Sequence, residues 1–395
     1  MDDALYMTAE AAADALGVNV TTIYTYVSRG QIRSQREPGK RSRRYWRTDV
    51  MALVGGGDVL PDAPDLRRTL VESSAITLIT PDGHYYRGKS ALELAKTATL
   101  EEVASLLWQA PNHELFTHDL PRVPELGPGA HMSGELSPLQ RAIALLFNVE
   151  QANPRAYDLS PQGYRRSGVD VLRCVAAAGL GARELSTEPM HRFMVRTLNA
   201  PESLAEVVRF FLVLAADHEL DPTTYTVRAA ANTGVTPYAA SIAGLVSASG
   251  RRLTYGQGSS VARLLDEIES AADPREPILR RVREGERLPG FASRTYAQGD
   301  PRARTLLARL RETLGDHTLV KRTISAAEAA HEAVGAYVDF ALPSQVLAHI
   351  VGLREQQGIL LRIARVVGWI AHAMEQYHER DLVRPHVPYS GELPL

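Results

Sequence analysis

The sequence predicts a mainly α-helical protein with a small helix-turn-helix unit at its start. Three observations point there. Two short segments with helical apolar spacing flank Leu16-Gly17-Val18, and a basic stretch follows them. Val54-Gly55-Gly56-Gly57-Asp58 and the prolines Pro61 and Pro64 then break the pattern. Beyond one pair of short β-branched or aromatic runs, apolar residues recur at helical spacing almost to the end.

In chain order, Thr8 to Leu16 is an alanine-rich helix closed by Gly17, which suits the left-handed C-terminal position. Asn19 or Thr21 can cap a second helix, Thr22 to Ser28, that stops at Gly30. Ala12, Leu16, Val20, Ile23 and Val27 are spaced to pack the pair together. A turn at Pro38-Gly39 sits among Arg33, Arg36, Lys40, Arg41, Arg43, Arg44 and Arg47, with Tyr45 and Trp46 behind. A basic hairpin tip suits a phosphate backbone, where affinity comes from counterion release. The residues expected to face DNA are Thr21, Thr22, Tyr24, Arg29, Lys40, Arg41, Arg43 and Arg44. A flexible linker over 54–69 is expected to separate this unit, 1–53, from a body over 70–395.

The body opens with a strand from Ser74 to Ile79, a turn at Pro81 to His84 and a second strand from Tyr85 to Gly88. Thr99 can cap a helix that runs to Trp108. Further helices are expected at 140–150, 168–180, 202–216, 223–249, 259–270, 302–313, 322–337, 343–350 and 355–377.

Composition narrows the function. The 395 residues can bury a sizeable core. A net charge of −2 excludes a molecule-wide basic surface for nucleic acid, although the basic residues cluster near the start. The single cysteine, Cys174, excludes an intrachain disulfide and a cysteine-based metal cluster, and suits a reducing compartment. The acidic Met1 to Tyr6 stretch does not read as a signal peptide, and Arg209 interrupts the apolar run from Val207 to Ala216. A cytoplasmic protein without a metal or resident cofactor is the expectation.

Met7 to Val50 resembles the winged helix-turn-helix of the MerR and excisionase-type families, through Ile23-Tyr24-Thr25-Tyr26-Val27 with Arg29-Gly30 and through Tyr45 to Val50. A second resemblance spans 70–395. Ser74-Ala75-Ile76-Thr77 with Tyr86-Arg87-Gly88 comes first. Ala216-Asp217-His218-Glu219-Leu220, Asn232-Thr233-Gly234 and Pro289-Gly290-Phe291 follow. Asp300-Pro301-Arg302-Ala303, Val338-Asp339-Phe340, Gly368-Trp369-Ile370-Ala371-His372 and Val383-Arg384-Pro385 complete the order. Together they are similar to the citrate synthase family, which includes 2-methylcitrate synthases. The resemblance implies a homodimer of two-domain subunits, with a large domain at 70–255 and 350–395 and a small one at 256–349.

The resemblance also implies a Claisen condensation of an acyl-CoA thioester with oxaloacetate. A carboxylate removes a methyl proton, one neutral histidine stabilises the enol, and another polarises the ketone. Asp339 matches the base and His218 an oxaloacetate-binding histidine. Arg302, Arg365 and Arg384 match the arginines that hold the two carboxylates, the last from the partner subunit. Arginine forks suit that ligand because each pairs two-pronged with a carboxylate.

The departures from the pattern are concentrated. Thr254, in Leu253-Thr254-Tyr255-Gly256, and Ser293, in Gly290-Phe291-Ala292-Ser293, stand where the family has histidines. Ala297 stands where a basic CoA contact is expected. A hydroxyl donates a hydrogen bond but does not shuttle a proton near neutral pH. The expected function is therefore a metabolite sensor for an oxaloacetate-like dicarboxylate, with acyl-CoA as a candidate second ligand, coupled to DNA. The alternatives are an active synthase that uses Thr254, Tyr255 or Ser293 as donors, and a non-catalytic subunit paired with an active citrate synthase.

Overall fold

The structure, a computed structural model, describes residues 6–28, 31–36, 42–54, 73–111, 115–117, 119–124, 136–250, 258–291, 293, 295–354, 358–379 and 382–384. It divides into two compact units, 1–69 with 383–395, and 70–382. The linker expectation and the positions Arg29, Lys40, Arg41, Thr254 and Tyr255 lie outside the described residues.

In the first unit, helix α1 (Ala9–Leu16) starts at Thr8, whose hydroxyl accepts from Ala11 N–H, and ends at Gly17 with φ 64°. Helix α2 (Val20–Ser28) begins two residues earlier than expected. The Asn19 carboxamide oxygen accepts from both the backbone N–H and the hydroxyl of Thr22, each at 2.9 Å. Strands β1 (Tyr6–Met7), β2 (Ser34–Arg36) and β3 (Arg43–Trp46) form an antiparallel sheet in the order β1-β3-β2. Helix α3 (Arg47–Val54) closes the unit. Its core joins Ala12, Ala13 and Ile23 to Ile32, Tyr45 and Val50. Tyr45, which follows the arginines, is thus core. Arg33 is also internal: its guanidinium grips Asp49 through Nε and Nη2, both at 2.8 Å, and lies over the Trp46 ring.

The second unit opens with β4 (Thr77–Thr80), β5 (Gly83–Tyr86) and β6 (Lys89–Ser90), an antiparallel sheet in sequence order. The β4–β5 turn is tighter than expected, so His84 lies in a strand paired with Ile79 rather than in a turn. Helices follow as α4 (Ala91–Thr97), α5 (Leu100–Leu107), α6 (Pro138–Ala152), α7 (Pro161–Leu180), α8 (Met190–Thr197) and α9 (Ala205–Ala215). Then come α10 (Pro222–Asn232), α11 (Pro237–Ala248), α12 (Ser259–Ser270), α13 (Glu276–Glu284) and α14 (Pro301–Leu314). The last are α15 (Thr318–Val334), α16 (Ala341–Ile350) and α17 (Ile359–Tyr377).

The single helix expected at 223–249 is two, because Gly234 turns the chain at φ 80° between α10 and α11. Helices α3, α4, α8 and α13 are not among the expected ones; α8 and α13 are short and rich in arginine. Helix α17 is the axis of the core. It is buried along most of its length and packs on α5, α7, α9, α10 and α11. Helices α12 to α16 pack chiefly on one another, and α14 reaches α9. Arg209, which interrupts an apolar run, is buried and donates to the carbonyls of Ala95 and Lys96, both at 3.1 Å, at the end of α4. Cys174 is buried in α7. No described helix is long and apolar enough to cross a membrane.

Candidate active site

A cavity of about 400 Å³ opens in the second unit where α9, α12, α14, α16 and α17 converge. His218, Ser293, Arg302, Asp339 and Arg365 all line it. Five of the residues singled out in the sequence therefore meet, although 147 positions separate the first from the last. Arg384 is exposed and groups with the first unit.

His218 sits on the short link between α9 and α10, and the local sequence fixes that link from below. The carboxylate of Asp217 is fully buried. Its Oδ2 accepts from the Thr77 hydroxyl at 2.6 Å, from Glu219 N–H at 3.0 Å and from His372 Nε2 at 3.4 Å. Glu219 takes a positive φ of 58° to complete this turn. Gly368 lets α17 approach, since a Cβ there would collide with Asp217 Oδ1, and its N–H reaches Ala216 O at 3.1 Å. Burial alone would raise the Asp217 carboxyl. His372, Arg365 and Thr77 together outweigh it and hold the pKa at about 2.

The brace continues outward. Arg228 Nη1 lies 3.1 Å from His372 Nδ1 and 2.6 Å from Glu375 Oε2. A guanidinium only donates, so Nδ1 is the acceptor and the proton of a neutral His372 sits on Nε2, facing Asp217. Glu375 in turn accepts from Ala75 N–H at 2.9 Å.

His218 Nε2 lies 3.1 Å from the Tyr296 hydroxyl. Its ring is 5.8 Å from that of His84, edge-on. His84 is buried on β5 and bonds the Tyr86 hydroxyl at 3.0 Å. Burial, then Arg302, lower the pKa of both imidazoles, His84 to about 3. Both rings are thus neutral at physiological pH, the form that can polarise a carbonyl without donating a full charge. Whether His84 approaches the cleft is open from the sequence, because its facing depends on strand register. Of the other histidines, His317 caps α15 and His331 packs on Tyr337.

Two guanidiniums face His218. Arg302, at the start of α14, pairs with Asp300 through Nε at 3.1 Å and Nη2 at 2.7 Å, and lies over the Phe340 ring at 4.6 Å. Arg365 is buried on α17, and its Nη1 has no partner among the described residues. Asp221 caps α10 through Thr223 and Thr224 N–H and stands 3.9 Å from Arg365 Nε. A buried donor left open toward a cavity costs free energy unless a ligand or water satisfies it.

Asp339 and Ser293 come from the opposite side. An isolated antiparallel bridge joins Phe291 to Val338, and Asp339 N–H donates to Gly290 O at 2.8 Å. Ala341 N–H donates to Asp339 Oδ1 at 2.8 Å. Burial raises the Asp339 pKa, which suits a proton acceptor in a cleft. Ser293 Oγ accepts from the N–H groups of Thr295 and Tyr296, both at 3.2 Å, and so keeps its own O–H as a donor. Among the lining residues that sequence reasoning did not single out is a further cation. Arg362 lies three residues before Arg365, so the two share a face of α17. That spacing was the available signal.

The family model for the citrate synthase C-terminal domain matches residues 65–386, and a helix-turn-helix domain model matches residues 6–56. The chain is 28% identical to a citrate synthase of Haloferax volcanii, covering 84% of this chain and 96% of that one. It is 27% identical to citrate synthase 2 of Bacillus subtilis, with 82% and 95% covered. Among solved structures it resembles citrate synthase from the archaeon Thermoplasma acidophilum in ternary complex with carboxymethyl coenzyme A and oxaloacetate. There the TM-score is 0.65 at 19% identity, with 84% and 96% covered.

Proposed function

The chain belongs to the citrate synthase family, and from that premise we propose that it binds an oxaloacetate-like 2-oxo dicarboxylate with little or no condensation. The observation that carries this reading is the contrast within one cavity. Arg365, with its Nη1 open, and a neutral His218 stand ready for a carboxylate and a ketone beside Arg302, whose Nε and Nη2 pair with Asp300, whereas Ser293 supplies a hydroxyl where the resemblance expects an imidazole. Losing one preorganised donor to the transition state typically costs about 10²–10³ in rate. Losing acid-base assistance costs roughly another 10²–10⁴.

In this reading occupancy of the cavity is reported to DNA by the helix-turn-helix unit. Thr21 and Tyr24 are exposed on α2 and Arg43 on β3, which supports a DNA-facing surface; Thr22 and Arg44 are half-buried beside them. A homodimer would carry two such units and favour a two-fold site. Acyl-CoA is a candidate second ligand. The deciding experiment is DNA binding titrated with oxaloacetate, citrate and acetyl-CoA. A ligand-dependent change in affinity supports the sensor; DNA affinity indifferent to all three removes it. Arg43→Ala should reduce the slope of log affinity against log salt by about 1 if that arginine meets a phosphate.

A second reading, an active synthase-type acyltransferase, is favoured by Asp339, whose raised pKa suits a base, and by the free O–H of Ser293. Thiol release from acetyl-CoA or propionyl-CoA with oxaloacetate tests it. Release that disappears in Asp339→Asn establishes the synthase; release equal in both proteins excludes it.

A further inference from the structure

A second cavity, of about 280 Å³, lies in the same unit. It is a slot between α14 and α15 whose apolar lining is Leu307, Ala308, Ile324, Tyr337 and Val338. Arg304, Leu307, Ala308 and Arg311 present one face of α14 to it. With 3.6 residues per turn, that face lies on the far side of the helix from Arg302. Asp300 borders both cavities, and its carboxylate is already engaged by Arg302. No other residue lining the slot is acidic.

The loop before α14 closes one end. Gly299 turns there at φ 89°, and a Cβ on it would come within 2.9 Å of Tyr337 Cβ. The glycine thus lets the loop sit against the tyrosine. Tyr337 itself is 45% exposed, so an aromatic face borders the slot at the surface. Arg304 and Arg311 are seven residues apart, which sets them about 10 Å apart along the helix axis. Both are exposed, and neither side chain has a hydrogen bond or ion pair among the described residues. Two uncompensated cations therefore flank an apolar slot. An apolar chain that fills the slot releases its water, and an acid group at the end of that chain meets the cations.

We propose that this slot binds a medium-chain fatty acid. The alkyl chain lies along Leu307, Ile324 and Val338, and the carboxylate stays at the rim with Arg304 and Arg311. This site is independent of the dicarboxylate reading, since neither of its arginines lines the other cavity.

Calorimetric titration of the full chain with butyrate, hexanoate, octanoate and octanol tests this. Affinity should rise about 4-fold per added methylene from butyrate to octanoate, the worth of burying each one. Octanoate should bind about 3-fold tighter than octanol, because exposed ion pairs contribute little. Arg304→Gln combined with Arg311→Gln should erase that preference for the acid. Ala308→Trp, which fills the slot from an exposed position, should weaken octanoate at least ~10-fold by obstructing it. Arg365→Gln should leave octanoate unchanged. Octanoate no tighter than butyrate, octanol as tight as octanoate, or octanoate lost in Arg365→Gln rather than in Ala308→Trp overturns the proposal. A dimer that Ala308→Trp splits, with no octanoate bound, assigns the slot to a second copy and overturns it too. The double arginine variant, at exposed positions, decides if Ala308→Trp fails to fold.

Discussion

The two walls of the cavity are built to different standards. Behind His218, a continuous chain of polar groups, buried as far as Arg228, runs from Thr77 through Asp217, His372 and Arg228 to the half-buried Glu375 and the N–H of exposed Ala75. Opposite, Asp339 and Ser293 rest on a single β-bridge and on local backbone N–H groups. The first wall fixes the groups to which the proposed reading gives the ligand. The second carries Asp339, the proton acceptor of the proposed reading, and beside it the hydroxyl of Ser293. That difference supports the proposed reading, in which the cavity captures a ligand rather than turning it over.

The contrast can be tested from the largest effect downward. Asp217→Ala should destabilise the protein by about 3–5 kcal/mol in denaturant titration, because it strips the partner from a buried network. The same carboxylate gives a pH signature. Its folded pKa of about 2 lies below the ordinary value of 3.8, so its stabilisation is complete above about pH 4 and is lost as pH falls toward 2. That loss amounts to about 2 kcal/mol. If Asp217→Asn unfolds with the same pH dependence as the unaltered protein, the brace is not electrostatic.

Arg365→Met should weaken dicarboxylate binding about 100-fold, since it removes a buried fork aimed at the cavity. Ser293→Ala should change the same affinity by less than about 3-fold, because the hydroxyl is not a ligand-holding group. Equal losses in the two variants would erase the distinction between the walls. Ser293→His should raise thiol release at least ~10-fold over the unaltered protein, provided Asp339 is retained. Smallest of all, Asp339→Asn should stabilise the fold by about 0.5–1 kcal/mol. The raised pKa means that the ionised carboxylate costs stability at neutral pH, and the amide oxygen can still accept from Ala341 N–H.

Much of this arrangement was legible in the sequence, and its limits have physical causes. Ordered motifs carried Asp339, Arg302, Arg365 and His218 to one cavity because each lies at a helix boundary or on the buried face of a long helix. The helix-turn-helix followed from Gly17 and apolar spacing. Facing was harder. His84 became a neighbour of His218 only through the β4–β5 register, and a two-residue change in turn length would move it away. Arg362 reads locally as one charge on an apolar helix; only the approach of α11 and Gly358 makes it a cavity group. Helix α13 was hidden because its arginines and glutamates mask a short apolar stripe that buries Ile278. Thr254, the other departure from the family pattern, lies outside the described residues and stays a sequence-level expectation.

The most direct measurement pairs two readouts on the unaltered protein and Asp339→Asn: thermal stabilisation by oxaloacetate, and thiol release from acetyl-CoA in its presence. The account predicts clear stabilisation of both proteins and thiol release that is the same in both. Release that is well above background in the unaltered protein and vanishes in Asp339→Asn would contradict it.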